Sequence, residues 1–268
     1  MLIVIFLIAL FVFLKFFAFV RRESVSVNAQ NPYLFPQCID TQLDQTMAKA
    51  AHNIPTKPSY IPSSYTTYVK PVLDTILAFF GLLLLSPVFL VLVIAILVDD
   101  PGPIFFTQKR VGKGKKFFLL HKFRSMRMST PHDVPTHQLS DPEQYITRVG
   151  KFLRKTSLDE LPQIWDIFRG KMSVIGPRPA LWNQADLVAL REQYAANDVK
   201  PGLTGWAQIN GRDELEIPVK AKLDGEYIVR QSFLFDFKCF FNTVFLVLKH
   251  EGVVEGGTGK LHKQEESK

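Results

Sequence analysis

The apolar stretch of residues 72–98, VLDTILAFFGLLLLSPVFLVLVIAILV, decides the fold of this chain. At ~1.5 Å per residue, a helix of this length crosses the ~30 Å hydrocarbon layer of a membrane. Two polar features distinguish it from an ordinary span: Asp74 near its start and Ser86-Pro87 in its middle. Pro87 lacks an amide hydrogen and bends a helix, while the Ser86 hydroxyl can satisfy a freed backbone group. The stretch therefore predicts a membrane element interrupted at its centre.

Basic residues flank this stretch on both sides and indicate how it lies in the membrane. Lys70 precedes it, and residues 108–128 carry eight cations and no acid. Because basic flanks stay cytoplasmic, residues 70–100 are expected to form a re-entrant helical hairpin broken at Ser86-Pro87. Asp74 would lie near the interface and pair with a nearby cation. A simple membrane crossing is the alternative.

A first apolar segment, residues 1–22, is expected to be an uncleaved transmembrane anchor. It has no basic start and no small-residue cleavage site, and Arg21-Arg22 at its end place the following residues in the cytoplasm. Residues 23–69 are polar and contain several prolines, which is typical of a linker. Residues 101–254 are expected to form one cytoplasmic catalytic domain, followed by a disordered tail over 255–268.

The charge balance limits the classes of partner that the chain is expected to bind. Its 268 residues include 32 Lys and Arg against 25 Asp and Glu, a formal net charge of +7, which favours phosphates, nucleic acid or an anionic membrane surface. A nucleic-acid binder is disfavoured because its cations would share the membrane surface with an anchor. Cys38 and Cys239 form no metal-binding or disulfide pattern.

Several short patterns outline a mixed α/β body. Ile104–Thr107 and Phe117–Phe123 read as two strands of a hairpin, from which Lys122, Arg124 and Arg110 can point at one anionic site. The other hairpin cations suit a solvated, lipid-attracted face. Residues 144–155 and 233–248 have the patterns of amphipathic helices, which we assign to the membrane interface.

Adjacent carboxylates occur in Ser157-Leu158-Asp159-Glu160-Leu161-Pro162. Ser157 and Glu160 have the spacing of a capping box, which satisfies free amides at a helix start. A helix that begins at Leu161 would instead leave Asp159 and Glu160 just before it. In either geometry the acids lie near a positive helix end, where they stay ionised and suit metal binding or attack on phosphorus.

Two proline-rich turns carry further cations. Gly176-Pro177-Arg178-Pro179 holds Arg178 in a preorganised loop, and a guanidinium fork suits bidentate phosphate recognition. Arg178 could equally pair with an acid such as Asp159. Lys200 opens the loop Lys200-Pro201-Gly202-Leu203-Thr204-Gly205-Trp206, which can approach a phosphate or can simply mark a turn.

Together these motifs resemble the bacterial sugar transferase family, the monotopic phosphoglycosyl transferases. The resemblance covers residues 68–254 and rests on seven motifs in order. They are Lys70, Ser86-Pro87, residues 107–112 (TQKRVG), residues 122–126 (KFRSM), residues 157–163 (SLDELPQ), residues 173–179 (SVIGPRP) and residues 200–206 (KPGLTGW). Two positions depart from the family pattern: Asp166 stands where asparagine is common, and Pro71 where arginine is common.

The resemblance implies transfer of a phosphosugar from a UDP-sugar to undecaprenyl phosphate, with release of UMP, at the cytoplasmic face of the bacterial inner membrane. Asp159 would be the nucleophile, and Asp159 with Glu160 would hold Mg2+. Substrate phosphates would be bound by Arg178, Lys200, Arg154, Arg124 and Lys122. The family fold is a membrane-associated α+β body. The sugar is not specified, and a monomer and a homo-oligomer are equally compatible with the sequence.

Two other functions compete with this interpretation. A glycosyltransferase acting on a lipid-linked sugar would be expected to carry an Asp-x-Asp motif, which the sequence lacks. A non-catalytic lipid-binding adaptor would account for the basic hairpin and the Phe-rich helix. It would not account for acids and cations placed in rigid turns.

Overall fold

The computed structural model describes residues 60–130, 142–211 and 215–249. The predicted anchor, the predicted tail and all of the predicted linker except residues 60–69 lie outside these ranges. The described chain forms a mixed helix and strand fold, as the sequence predicts. Its elements are α1 (Lys70–Asp99), β1 (Phe105–Val111), β2 (Phe117–Phe123), α2 (Arg148–Lys155), α3 (Gln163–Phe168), β3 (Ser173–Ile175), α4 (Ala185–Glu192), β4 (Gly202–Thr204), α5 (Trp206–Ile209), α6 (Ile217–Arg230) and α7 (Phe233–Lys249).

Helix α1 is long and apolar enough to cross or anchor in a membrane, and it continues through Pro87. Pro87 has no amide hydrogen to donate to the carbonyl of Leu83, but the Ser86 hydroxyl donates to that carbonyl at 2.8 Å. The hydroxyl therefore replaces the missing bond. The structure does not confirm the predicted break, and a π-helical turn, Tyr65–Val69, extends the helix towards the predicted linker.

One stripe of α1 packs on the rest of the fold along its full length. The buried residues recur every three or four positions: Lys70, Asp74, Ala78, Leu82, Ser86, Phe89, Leu92 and Ile96. Leu82, Phe89, Leu92 and Ile96 share a core cluster with the hairpin residues Phe105 and Phe123. The opposite side of α1 exposes an apolar surface that includes Phe80, Leu84, Val91 and Val98. A continuous apolar surface of this kind is typical of a membrane-contacting face.

Polar contacts attach both ends of α1 to the same body. At the amino end, Lys70 Nζ lies 2.5 Å from Asp236 Oδ2, and the Tyr65 hydroxyl donates to the same oxygen at 2.7 Å. At the carboxyl end, Arg124 pairs with Asp100 at 2.9 Å. Asp74, which the sequence places near the interface where it can pair with a cation, accepts a hydrogen bond at Oδ1 from Val174 N at 3.0 Å.

The strands of the described residues form two small sheets, the hairpin and a second pair. Strands β1 and β2 are antiparallel, with Phe105 opposite Phe123 and Val111 opposite Phe117, so β1 extends beyond the predicted end at Thr107. Strands β3 and β4 are parallel, with Ser173 opposite Gly202. Residues 200–206 were predicted as a loop, and β4 lies inside them.

Two predicted amphipathic helices are present with different bounds. Helix α2 begins after Thr147, whose Oγ1 accepts a hydrogen bond from Gly150 N at 2.9 Å, and residues Pro142–Tyr145 before it form a 3₁₀ turn. The Phe-rich α7 exposes Phe237, Phe241 and Phe245. Its apolar face is therefore open, as expected of an interfacial helix.

Replacement of a helical glycine distinguishes close packing at α2 from ordinary packing at α1. A Cβ at Gly150 would lie 2.0 Å from the Ser125 carbonyl oxygen, whereas a Cβ at Gly81 would meet Ile164 at 3.6 Å. We expect Gly150→Ala to destabilise the protein by about 1–3 kcal/mol, because the backbone must shift. Gly81→Ala should leave the melting temperature unchanged or slightly raised. Equal melting temperatures for the two variants would contradict this packing.

Candidate active site

The two adjacent acids lie in a 3₁₀ turn, Leu158–Glu160, between α2 and α3. Ser157, just before the turn, has a φ of 56° and makes no side-chain cap, so the capping-box interpretation is wrong. Pro162 precedes the first residue of α3, Gln163, so the acids stand before the helix, as in the alternative geometry.

Cations from two other segments converge on these acids. Lys122, on β2, has its Nζ 2.9 Å from Glu160 Oε1 and 3.3 Å from Asp159 Oδ2. Arg178, in the loop after β3, reaches the same carboxylate: its Nη2 lies 2.7 Å from Oε1 and its Nη1 3.4 Å from Oε2 of Glu160. Asp159 is buried, with 4% of its surface exposed. The site thus combines two carboxylates with two cations in a sheltered position.

These neighbours determine the ionisation of Glu160 and Lys122. Burial opposes the charge on Glu160, but Arg178 and Lys122 outweigh it and hold the pKa of this carboxyl well below its ordinary value. Burial would also lower the pKa of Lys122, but Glu160 and Asp159 raise it above the ordinary value. Both groups therefore carry their charges at neutral pH.

The remaining predicted phosphate ligands have other contacts. Arg124 is buried and paired with Asp100 at the end of α1. Arg154 Nε donates to Ser125 Oγ at 3.2 Å. Arg110 donates from Nη2 to Gln108 and from Nη1 to the Pro179 carbonyl. Of the three hairpin cations expected to share one anionic site, Lys122 contacts both acids.

Lys200 lies two residues before β4 and is half-buried. Burial lowers the pKa of its ammonium group, and the carboxylate of Asp74 acts in the opposite direction. The charges that act most strongly on Glu160 are those of Arg178 and Lys122. The Lys200 ammonium group thus lies within the electrostatic influence of Asp74, which is on α1.

A buried pair that the sequence patterns did not identify joins β2 to α3. Asp166 Oδ2 accepts a hydrogen bond from His121 N at 2.9 Å, and Asp166 Oδ1 lies 2.7 Å from His121 Nδ1. Because His121 precedes Lys122 and α3 follows the acidic turn, this pair sets Lys122 against Glu160. The sequence signal for it was Asp166, a charged residue where asparagine is common in the family, on a helix face that also buries Gln163 and Ile167.

The two acids are suited to bind a hard divalent cation whose remaining ligands come from the substrate. Mg²⁺ is usually bound by one or two carboxylates together with phosphate oxygens and water. Asp159 and Glu160 provide two adjacent carboxylates. Among the described residues, His, Cys, Asp and Glu form no cluster of three or more that could hold a metal ion. The donor set therefore fits Mg²⁺ in company with a phosphorylated substrate.

Comparison with known proteins gives consistent matches. The family model described as "Bacterial sugar transferase" matches residues 65–250. The UDP-glucose:undecaprenyl-phosphate glucose-1-phosphate transferase of Xanthomonas campestris pv. campestris is 40% identical over 192 residues, which cover 69% of this chain and 40% of that protein. The enzyme of the same name from Escherichia coli (strain K12) is 38% identical over 221 residues, covering 79% and 47%.

A third relative matches over nearly its whole length. The uncharacterized sugar transferase EpsL of Bacillus subtilis (strain 168) is 38% identical over 185 residues, which cover 69% of this chain and 90% of the relative. By contrast, the chain spans less than half the length of the Xanthomonas and Escherichia enzymes.

The lowered pKa of Glu160 predicts how stability responds to pH when Arg178 is replaced. A carboxylate with a depressed pKa contributes stability above its unfolded pKa of about 4.3, and this contribution is lost as the pH falls through its folded pKa. Arg178→Met should raise that folded pKa. We therefore expect the variant to melt about 2–6 °C below the parent at pH 7, with a smaller gap at pH 2.5, where Glu160 of the variant is protonated and Glu160 of the parent is still largely ionised.

Thermal unfolding in detergent with a metal chelator measures this difference. Arg148→Met makes the same change at an exposed position and should produce little difference at either pH. A gap for Arg178→Met that is equally large at pH 7 and pH 2.5 would exclude the proposed charge coupling.

Proposed function

Because the chain belongs to the bacterial sugar transferase family, we propose that it transfers a sugar phosphate from a UDP-sugar to undecaprenyl phosphate and releases UMP. The observation that carries this proposal is the pair of adjacent acids contacted by Lys122 and Arg178. Such a site can hold a diphosphate next to a carboxylate nucleophile. The donor is proposed only as a UDP-sugar, since relatives are named for glucose and for N-acetylgalactosamine.

The proposed reaction has two steps, each a displacement at the β-phosphorus of the donor. In the first, an Asp159 oxygen attacks this phosphorus, the bond to the bridging oxygen breaks, and UMP leaves with the bonding electrons. In the second, a phosphate oxygen of undecaprenyl phosphate attacks the same phosphorus and the Asp159 carboxylate leaves. The covalent intermediate separates two encounters between anions, and nearby cations offset the repulsion in each.

The contacts of the two acids support different roles for them. Arg178 and Lys122 engage Glu160 at 2.7 and 2.9 Å, whereas Lys122 lies at the longer distance of 3.3 Å from Asp159. Glu160 is therefore suited to hold the two cations in place. Asp159, buried beside Lys122, is proposed as the residue that attacks phosphorus.

Mg²⁺ is proposed as the cofactor, with Asp159 and Glu160 as the residues that would hold it. When bound, it would offset the negative charge of the donor diphosphate. Lys122 and Arg178 supply positive charge from the protein itself, and the buried position of Asp159 limits access of water. Limited water access protects a phosphorylated aspartate from hydrolysis.

We also propose that α1 enters and leaves the membrane on one face, with the body on the cytoplasmic face of the bacterial inner membrane. A straight helix of 30 residues would be about 45 Å long. Its two ends contact the same body through Lys70–Asp236 and Asp100–Arg124. A helix crossing the bilayer would separate these ends by the full membrane thickness, which supports the re-entrant arrangement. Undecaprenyl phosphate would then meet the soluble donor at the interface.

Replacement of Asp159 tests the proposed nucleophile. With the purified full chain, undecaprenyl phosphate, Mg²⁺ and a panel of UDP-sugars, we expect UMP release by the parent and a loss of at least about 10³-fold in Asp159→Asn. Without the acceptor, intact-mass analysis should detect a phosphosugar adduct on the parent and none on Asp159→Asn. Asp186→Asn, the same change at an exposed position, should retain activity.

The possible outcomes separate the competing functions. Full activity in Asp159→Asn would eliminate this residue as the nucleophile. Absence of UMP release by the parent with every donor would instead favour a lipid-binding adaptor.

Cysteine labelling tests the proposed membrane arrangement. Lys113 is exposed at the hairpin tip, and Cys239 is buried. In a Cys38→Ser background, Lys113→Cys in intact cells should resist a membrane-impermeant thiol reagent and react after permeabilisation. Labelling of intact cells to the same extent as permeabilised cells would mean that α1 crosses the membrane.

A further inference from the structure

The loop that carries Arg178 is held by hydrogen bonds to its carbonyl groups. Pro177 and Pro179 have no amide hydrogen, so the loop cannot be fixed by its own amides at these positions. Each carbonyl from Pro177 to Ala180 accepts a hydrogen bond from another segment, and the Leu181 carbonyl accepts one from the turn that follows it. The donors, in order, are Gly202 N at 2.9 Å, Arg191 Nη2 at 2.9 Å, Arg110 Nη1 at 3.0 Å, Val111 N at 3.0 Å and Gln184 N at 3.1 Å.

The donor to the carbonyl of Arg178 itself is the side chain of Arg191, on α4. Its Nη2 has two hydrogens: it lies 2.9 Å from the Arg178 oxygen and 2.6 Å from Asp224 Oδ2. Its Nε donates to the same Asp224 oxygen at 2.8 Å. Asp224, on α6, therefore fixes the guanidinium plane, and the guanidinium fixes the backbone of Arg178.

Burial of this ion pair is energetically unfavourable. Arg191 is 4% exposed and Asp224 is 2% exposed, so both charges have left water. Burial raises the pKa of the Asp224 carboxyl, although Arg191 acts in the opposite direction. Apolar side chains of similar volume would fill the space between α4 and α6 at lower cost. The pair is therefore better explained by the contact of Arg191 with the Arg178 backbone than by a contribution to the stability of the fold.

We propose that Arg191, oriented by Asp224, is a positioning residue that sets Arg178 against Glu160 and the donor diphosphate. The inference rests on the proposed function and extends it to a pair of residues outside the acidic site. Arg191 acts on the reaction through the backbone of Arg178. Its loss should therefore weaken the use of the donor and leave the membrane contacts of α1 and α7 intact.

Arg191→Lys tests the proposal because it keeps a cation near Asp224 and removes the planar fork that serves two acceptors. We expect kcat/KM for the UDP-sugar to fall about tenfold to hundredfold, as for a small displacement of a catalytic group. In an Arg178→Met background, Arg191→Lys should cause little further loss, because the two residues act as one unit. Losses that multiply across the two substitutions would overturn the proposal.

Asn197→Ala provides the matched control. Asn197 is buried, and its Nδ2 donates to the Val188 carbonyl at 2.8 Å and to Glu192 at 2.9 Å, both on α4. The substitution removes buried hydrogen bonds from the same helix that carries Arg191. It should lower the melting temperature with little change in kcat/KM. A comparable loss of kcat/KM in Asn197→Ala would show that Arg191 acts only through the stability of α4.

Hydrogen exchange separates this proposal from the proposed function. Amides of residues 173–184 should exchange faster in Arg191→Lys than in the parent or in Asn197→Ala, whether or not UMP release is found. Unchanged exchange in this segment would overturn the positioning role. Absence of UMP release with every donor would overturn the function alone.

If Arg191→Lys does not fold, Asp224→Asn replaces it in the same measurements. The amide oxygen of asparagine can still accept a hydrogen bond from Arg191, so a smaller loss of the same kind is expected. This loss should again be absent in the Arg178→Met background. Its persistence there would contradict the proposal.

Discussion

The ionised carboxylate of Glu160 is the constraint on which the arrangement of the body depends. Burial disfavours this charge, and Arg178 and Lys122 are the cations that offset it. They belong to different segments: Lys122 lies on β2, and Arg178 lies in the loop after β3. The fold must therefore bring a hairpin, an acidic turn and a proline-rich loop to one place. Charge compensation links these segments more specifically than apolar packing can, because each cation must reach a particular oxygen.

Helix α1 connects this charged site to an apolar surface. The core cluster that buries Leu82, Phe89 and Leu92 also contains Phe123, at the end of the strand that carries Lys122. The outer sides of α1 and α7 remain apolar and exposed. The proposed reaction moves a sugar phosphate from a soluble nucleotide sugar to a membrane lipid, so it needs both surfaces within one rigid unit. Packing along the whole of α1 provides that rigidity.

Local sequence patterns were sufficient where periodicity alone determines structure. They predicted the apolar helix, the hairpin and the Phe-rich helix. They failed where one torsion angle or one hydroxyl decides the outcome. The positive φ of Ser157 removes the cap that its spacing suggests, and the Ser86 hydroxyl supplies the bond that Pro87 lacks, so α1 continues. Strand β4 has three residues, which is too short for an alternating pattern to emerge.

The contacts that organise the site lie beyond local patterns because their partners are far apart in sequence. His121 and Asp166 are 45 positions apart, and Arg191 and Asp224 are 33 apart. Asp166, a departure from the family pattern, shows how such a pair constrains chemistry. Its two carboxylate oxygens only accept hydrogen bonds, so His121 must donate from Nδ1 as well as from its backbone. An asparagine side chain has one acceptor oxygen and could instead donate from its amide nitrogen to the His121 ring. Nδ1 would then have to accept. The aspartate therefore selects the His121 tautomer while keeping β2 fixed to α3, and the position of Lys122 beside Glu160 follows from that attachment.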